Sequence, residues 1–112
     1  MSGGEHPSKR LVILHGEIQS PPMTEAARRR VGLFLRNLQD GESLSMPTSR
    51  PMAIIGPNCH ELRINDAGVT WRVIYQIRDS TVYVADVFSK KTPTTPKRVI
   101  DQCRKRFAEQ AD

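Results

Sequence analysis

Aromatic side chains make up only 5% of this chain, and it has just two cysteines. A broad base-stacking platform needs several exposed rings, so the shortage of aromatics argues against a single-strand-binding surface of that kind. Cys59 and Cys103 fall far below the density of a disulfide-stapled secreted domain, and neither has a second cysteine or a histidine at zinc-ligand spacing. No metal site and no cofactor is expected, and a reducing cytoplasm is the expected compartment. No apolar run approaches the roughly 20 residues of a membrane span. The opening Ser-Gly-Gly-Glu-His-Pro-Ser also lacks the charged start and apolar stretch of an export signal. The expectation is a soluble protein without a membrane partner, with residues 1–8 as a disordered lead and residues 9–112 as one domain.

The chain does have a basic excess, a net charge of +5 over 112 residues. That makes polyanions or an acidic protein its natural partners. The cations are concentrated where two alternating segments, Trp71–Ile77 and Val82–Phe88, split by a turn at Asp79-Ser80, run into Ser89-Lys-Lys-Thr-Pro-Thr-Thr-Pro-Lys-Arg98. Lysines at a strand end, followed by Lys97 and Arg98 at a helix start, suit a nucleic acid better than a small apolar ligand.

Arg10–His15 is a short run of β-branched and leucine residues that reads as a buried strand, broken by Gly16–Pro22. From Thr24, a candidate N-cap, the residues Ala27, Val31, Phe34, Leu35 and Leu38 recur at helical steps until Gly41. Arg28, Arg29, Arg30 and Arg36 fall mostly off that stripe, on a face that is either merely solvated or grips an acidic partner. Gly41–Pro57 reads as an irregular connection, which makes Arg50 a candidate for substrate contact or an ordinary surface arginine.

Cys59–Ile64 reads as a strand in which Cys59, Glu61 and Arg63 share one face while His60, Leu62 and Ile64 share the other. Cys59 and His60 therefore point apart and cannot form a catalytic dyad, and both cysteines are expected to be buried fillers. After the turn Asn65–Gly68, Trp71, Val73, Tyr75 and Ile77 should pack on a helix, leaving Arg72 on the open face. Such an arginine either finds a carboxylate, with Glu61 or Asp86 in range, or contacts phosphate. Thr95 is a candidate N-cap with Pro96 at the first helical position, and Val99, Ile100, Cys103 and Phe107 form the apolar stripe of a last helix. Its other face carries Lys97, Arg98, Arg104, Lys105 and Arg106. Strand, helix, loop, three antiparallel strands and helix make an α+β domain, a small antiparallel sheet packed against an N-terminal and a C-terminal helix.

The series His60-Glu-Leu-Arg63, Trp71-Arg-Val-Ile-Tyr75, Val87-Phe-Ser-Lys-Lys-Thr-Pro-Thr-Thr-Pro96 and a basic helix through Arg106 resembles the RelE/ParE toxin superfamily, nearest its HigB-like, phage-derived branch. The similarity runs from about Met23 to Phe107. It implies the RelE-like fold and a metal-independent, ribosome-dependent endoribonuclease that cuts messenger RNA and inhibits translation. It also implies a cognate antitoxin, a helix-turn-helix protein from an adjacent gene. By the same resemblance Arg63 and Arg72 would bind the scissile phosphate, and Lys90 and Lys91 would supply a general acid or base and a backbone contact. Tyr75 and Phe88 would stack on or position a base, or else pack. RNA carries the 2′-OH that such an enzyme needs to orient, deprotonate and direct at phosphorus.

One departure matters. Relatives place a catalytic Tyr or His near the last helix, yet here none follows Tyr83. The base would then be Lys90, Lys91, His60 or a ribosomal group, since His6 and His15 lie early in the chain. On the same strand face as Leu62 and Ile64, His60 is more often a satisfied core histidine than a catalytic one. Two other functions stay open: a non-enzymatic inhibitor on the same fold, such as the DNA-gyrase-directed branch, and a catalytically degenerate nucleic-acid-binding module.

Overall fold

The computed structural model describes residues 8–16, 18, 22–90 and 94–110. The expected lead at residues 1–8 lies outside them except for Ser8. Lys91 also lies outside them.

Its elements are β1 (Arg10–Ile13), α1 (Glu25–Gln39), β2 (Ser49–Pro51), β3 (Cys59–Asp66), β4 (Val69–Arg78), β5 (Thr81–Lys90) and α2 (Lys97–Ala108). The five strands form one sheet in the order β1-β5-β4-β3-β2. The fold is α+β as expected, but the sheet is mixed: β1 runs parallel to β5, and the other pairings are antiparallel. Two readings are corrected. Arg10–Ile13 is an edge strand rather than a buried one, with Leu11 and Ile13 among the exposed apolar residues. The Gly41–Pro57 connection contains β2, three residues whose proline is compatible with an edge position.

Local chemistry explains the elements. The Thr24 hydroxyl accepts from the Ala27 N–H at 3.1 Å, which caps α1 as expected. Gly41, at φ +93°, follows the end of the helix, where an L side chain would be strained. The β3–β4 hairpin turns through Ala67 and Gly68, both at positive φ, the geometry that matches the twist of paired strands.

Both faces of the sheet are covered. Met23, Ala27, Val31, Leu35 and Leu38 of the α1 region pack on Leu62, Ile64, Val73, Tyr75, Val82 and Val84. On the other side Val99, Cys103 and Phe107 of α2 pack with Met52, Ile55, Cys59, Ile74 and Ala85. Thus the face expected to be open beside Arg72 lies on the α2 side. A register shift in the β4–β5 pairing moves the partner from Asp86 opposite Ile74 to Val84 opposite Tyr75, leaving Ala85 as the extra residue. Simple alternation would put Asp86 on the opposite face from Tyr83. The bulge brings Tyr83, Asp86 and Phe88 to the same side.

Candidate nucleic-acid interface

Glu61 sits at the middle of the α2 side and is fully buried. A carboxylate so placed must be paired, because desolvation penalises its charge. Its Oε1 accepts from Arg72 Nη1 at 2.9 Å and from Arg50 Nε at 3.0 Å, with Arg63 Nε 3.9 Å away. Its Oε2 accepts from the Thr95 hydroxyl at 3.0 Å. Three guanidinium groups therefore surround one carboxylate, and the cluster keeps a cationic excess. The pairing follows from register: Arg50 stands opposite Glu61 across β2–β3, and Arg63 opposite Arg72 across β3–β4.

The three arginines are not equivalent. Arg72 is 2% exposed, so the carboxylate alternative holds for it and its guanidinium acts inside the protein. Arg50 and Arg63 are about a third exposed, at 31% and 32%, and reach the surface. Arg63 also lines a cleft of 230 Å³ with Arg30, Pro47, Thr48 and Asn65. There the Arg30 guanidinium donates to the Asn65 carbonyl at 3.3 Å.

Thr95 does not cap α2. Pro96 is the N-cap and has no side-chain cap bond, while the Thr95 hydroxyl goes to Glu61. The helix start is thereby tied to the arginine cluster. Lys97 and Arg98 follow, both exposed, with Lys97 Nζ 2.8 Å from Asp101. Phe88 stands opposite Arg72 on β5, half-buried on the α2 side. Lys90 ends β5 opposite Thr70. The structure thus brings Arg50, Arg63, Arg72 and Phe88 together beside the start of α2.

It separates His60 and Tyr75 from them. Both face the α1 side, paired across β3–β4 with their rings stacked at 5.3 Å. Tyr75 is 1% exposed and its hydroxyl lies 2.6 Å from Ser49 Oγ, which leaves no free ring face for a nucleobase. Burial pushes its phenol upward, opposed in part by the Ser49 bond. Arg106 also departs from expectation: it is half-buried, donating to the Ala85 carbonyl at 2.9 Å and lying 3.7 Å from Asp86, whereas Arg104 and Lys105 are exposed.

The cysteines are the buried fillers expected. Burial raises the Cys59 thiol to about 11 and the Cys103 thiol to about 12, so neither forms a ready thiolate. Among the described residues no three His, Cys, Asp or Glu side chains gather to hold a metal ion, and no helix is long and apolar enough to cross a membrane.

Two contributors escaped the sequence reading. Thr95 reads in the sequence as a helix cap, and its distance along the chain from Glu61 carries no sign of their contact. His15 lies early in the chain, yet the parallel pairing of β1 with β5 puts its Nδ1 3.5 Å from Asp86 Oδ1. Parallel partners are distant in sequence, and no short motif announces them.

No curated protein and no solved structure matches the chain significantly. Residues 22–108 match the profile of the phage-derived protein Gp49-like family (DUF891), and the chain belongs to that family, a RelE/HigB-like toxin family.

Proposed function

We propose that this protein is the toxin of a toxin-antitoxin pair and acts as a ribosome-dependent messenger RNA endoribonuclease. The observation that carries the reading is the Glu61 hub, which spends one buried carboxylate on three arginines and leaves Arg50 and Arg63 at the surface. Guanidinium forks suit the oxygens of a phosphate passing through a charged transition state. Arg63 contacts the scissile phosphate, Arg50 a neighbouring one, and Arg72 is a positioning residue that acts through Glu61. Lys90 ends β5 and Lys91 follows it in sequence, while Lys97 and Arg98 add exposed cations at the start of α2. Phe88 offers the ring for a nucleobase. His60 and Tyr75 support the sheet from the far side.

The antitoxin in this reading covers the cations with an acidic segment. Arg28, Arg29 and Arg36 on α1 and Arg104 and Lys105 on α2 are available to it, and its association should weaken as salt rises. A second reading, a non-enzymatic inhibitor that targets a protein such as gyrase, draws on the burial of Arg72, which leaves fewer groups for chemistry.

Expression without a partner should arrest translation, with message cut in translating lysates and spared when ribosomes are removed. Intact message with inhibited DNA supercoiling would favour the second reading. Lys91→Ala should slow cleavage far more than it weakens ribosome binding, with Lys90→Ala milder. Parental rates in both would remove the lysines from the site.

A further inference from the structure

Beyond the arginine cluster, a second cleft of 400 Å³ opens where the end of β1, the end of β5 and the first turns of α2 meet, lined among others by His15, Asp86, Phe88, Ser89, Arg98 and Val99. Its volume lies within the roughly 300–1,000 Å³ range of ligand clefts. Its wall combines an imidazole, a carboxylate, an exposed guanidinium and an aromatic ring, the set a ribonucleotide needs for proton transfer, phosphate contact and stacking.

His15 is held in place from both sides. The N–H of Leu14 donates to the Val84 carbonyl at 2.7 Å. Gly16, at φ +90°, lies so close to β5 that a Cβ there would fall 2.6 Å from the Val87 nitrogen. The β5 bulge turns Asp86 toward the same side, a device that re-aims side chains beside functional sites. Asp86 is itself anchored, with Oδ1 accepting from the Val87 N–H at 2.9 Å and Oδ2 3.7 Å from Arg106 Nη1. The carboxylate side chain is 12% exposed and the imidazole 58%, so the pair has a sheltered member and one open to a ligand. Phe88 links this cleft to the arginine cluster, since it stands opposite Arg72.

We propose that His15 is the proton acceptor of the cleavage reaction and that Asp86 is its positioning residue, an assignment that rests on the endoribonuclease reading above. Nδ1 lies 3.5 Å from the Asp86 carboxylate, and the tautomer protonated there leaves Nε2 as the acceptor. The 2′-OH gives its proton to Nε2, the O2′–P bond forms, and the P–O5′ bond breaks with its electron pair on O5′. O5′ takes a proton from water, and the imidazolium returns its proton to the resulting hydroxide. The products are a 2′,3′-cyclic phosphate and a 5′-hydroxyl. Arg98 binds the phosphate on the cleft side, and Phe88 stacks on the base.

The test is single-turnover cleavage on programmed ribosomes, with ribosome occupancy measured by pelleting. His15→Ala should slow cleavage roughly a hundredfold or more with occupancy unchanged, and added imidazole should restore part of the rate. Asp86→Asn should lose roughly tenfold or more, in the rate at saturation rather than in half-saturation, and Asp86→Glu should recover part of it. His15 is mostly exposed, so its variant carries the test alone if Asp86→Asn fails to fold. Cleavage by His15→Ala at the parental rate, or a loss that imidazole does not relieve, overturns this assignment and leaves the endoribonuclease reading standing. A parent that does not cleave overturns both. Without ribosomes, titration with the ribodinucleotide ApA should shift the His15 and Phe88 ring signals, and unshifted rings would remove the cleft as the nucleotide site.

Discussion

The two faces of the sheet come from the same strands by alternation, yet they do different work. Among the described residues the α1 face is almost wholly apolar, and a buried hydroxyl bond joins Ser49 to Tyr75 on it. The α2 face has a smaller apolar cluster interrupted by Glu61, Arg72, Gln76 and Asp86. A closed apolar layer stabilises through area removed from water. Buried charges contribute less to stability, and removing one partner of a pair is costly. The α1 face therefore reads as the scaffold, and the α2 face as the place where stability was given up for oriented charge.

That contrast can be broken experimentally. Glu61→Ala should have the largest effect, about 3–5 kcal/mol in denaturant unfolding, because Arg72 loses its buried counter-charge. A loss below about 1 kcal/mol would show that the hub is not what holds Arg72. Leu62→Ala, next in the strand but facing α1, should cost about 2–4 kcal/mol while cleavage per folded molecule stays unchanged. Arg63→Ala should reverse that pattern. Its third-exposed ion pair contributes less than about 1 kcal/mol of stability, whereas cleavage should fall roughly a hundredfold, equivalent to about 2.7 kcal/mol. Equal losses of stability and rate across Leu62→Ala and Arg63→Ala would erase the distinction between the faces.

A smaller effect belongs to the clasp between α1 and the β3–β4 hairpin. Thr24→Ala should cost about 1 kcal/mol through the lost cap, read from thermal or urea unfolding. The Thr24 N–H and hydroxyl also donate to Asp66 at 3.1 and 2.8 Å, and Trp71 Nε1 donates to it at 2.9 Å. These bonds hold the Asp66 carboxyl below its ordinary value of 3.8, the Thr24 backbone bond contributing most. A depressed folded-state value means that this stabilisation is present above the unfolded value and fades as pH falls through the folded one. Unfolding followed across acid pH should therefore be flatter in Asp66→Asn than in the parent, and parallel curves would show that Asp66 is not coupled to folding.

Much of the architecture was legible because it rests on local periodicity. The stripe Ala27, Val31, Leu35, Leu38, the split of Cys59 from His60, the turn at Asp79-Ser80 and the apolar face of α2 follow from spacings of two and of three to four. The family was legible too, since the order of its motifs lies in the linear chain and covers residues 22–108. What alternation could not supply was the depth of each side chain. Arg72 points to the face expected, but it is buried there and donates to Glu61.

The sequence by itself determined the two helices, the antiparallel strand run, the basic balance and which residues share a face in β3 and β4, because neighbours along the chain decide these. Only the tertiary structure decided that Arg50, Arg63, Arg72 and Thr95 converge on Glu61, that the edge strand β1 lies parallel to β5, and that a single extra residue turns Asp86 toward His15. Pairings between distant segments, and the bulge that shifts their register, are set by packing of the whole sheet between two helices.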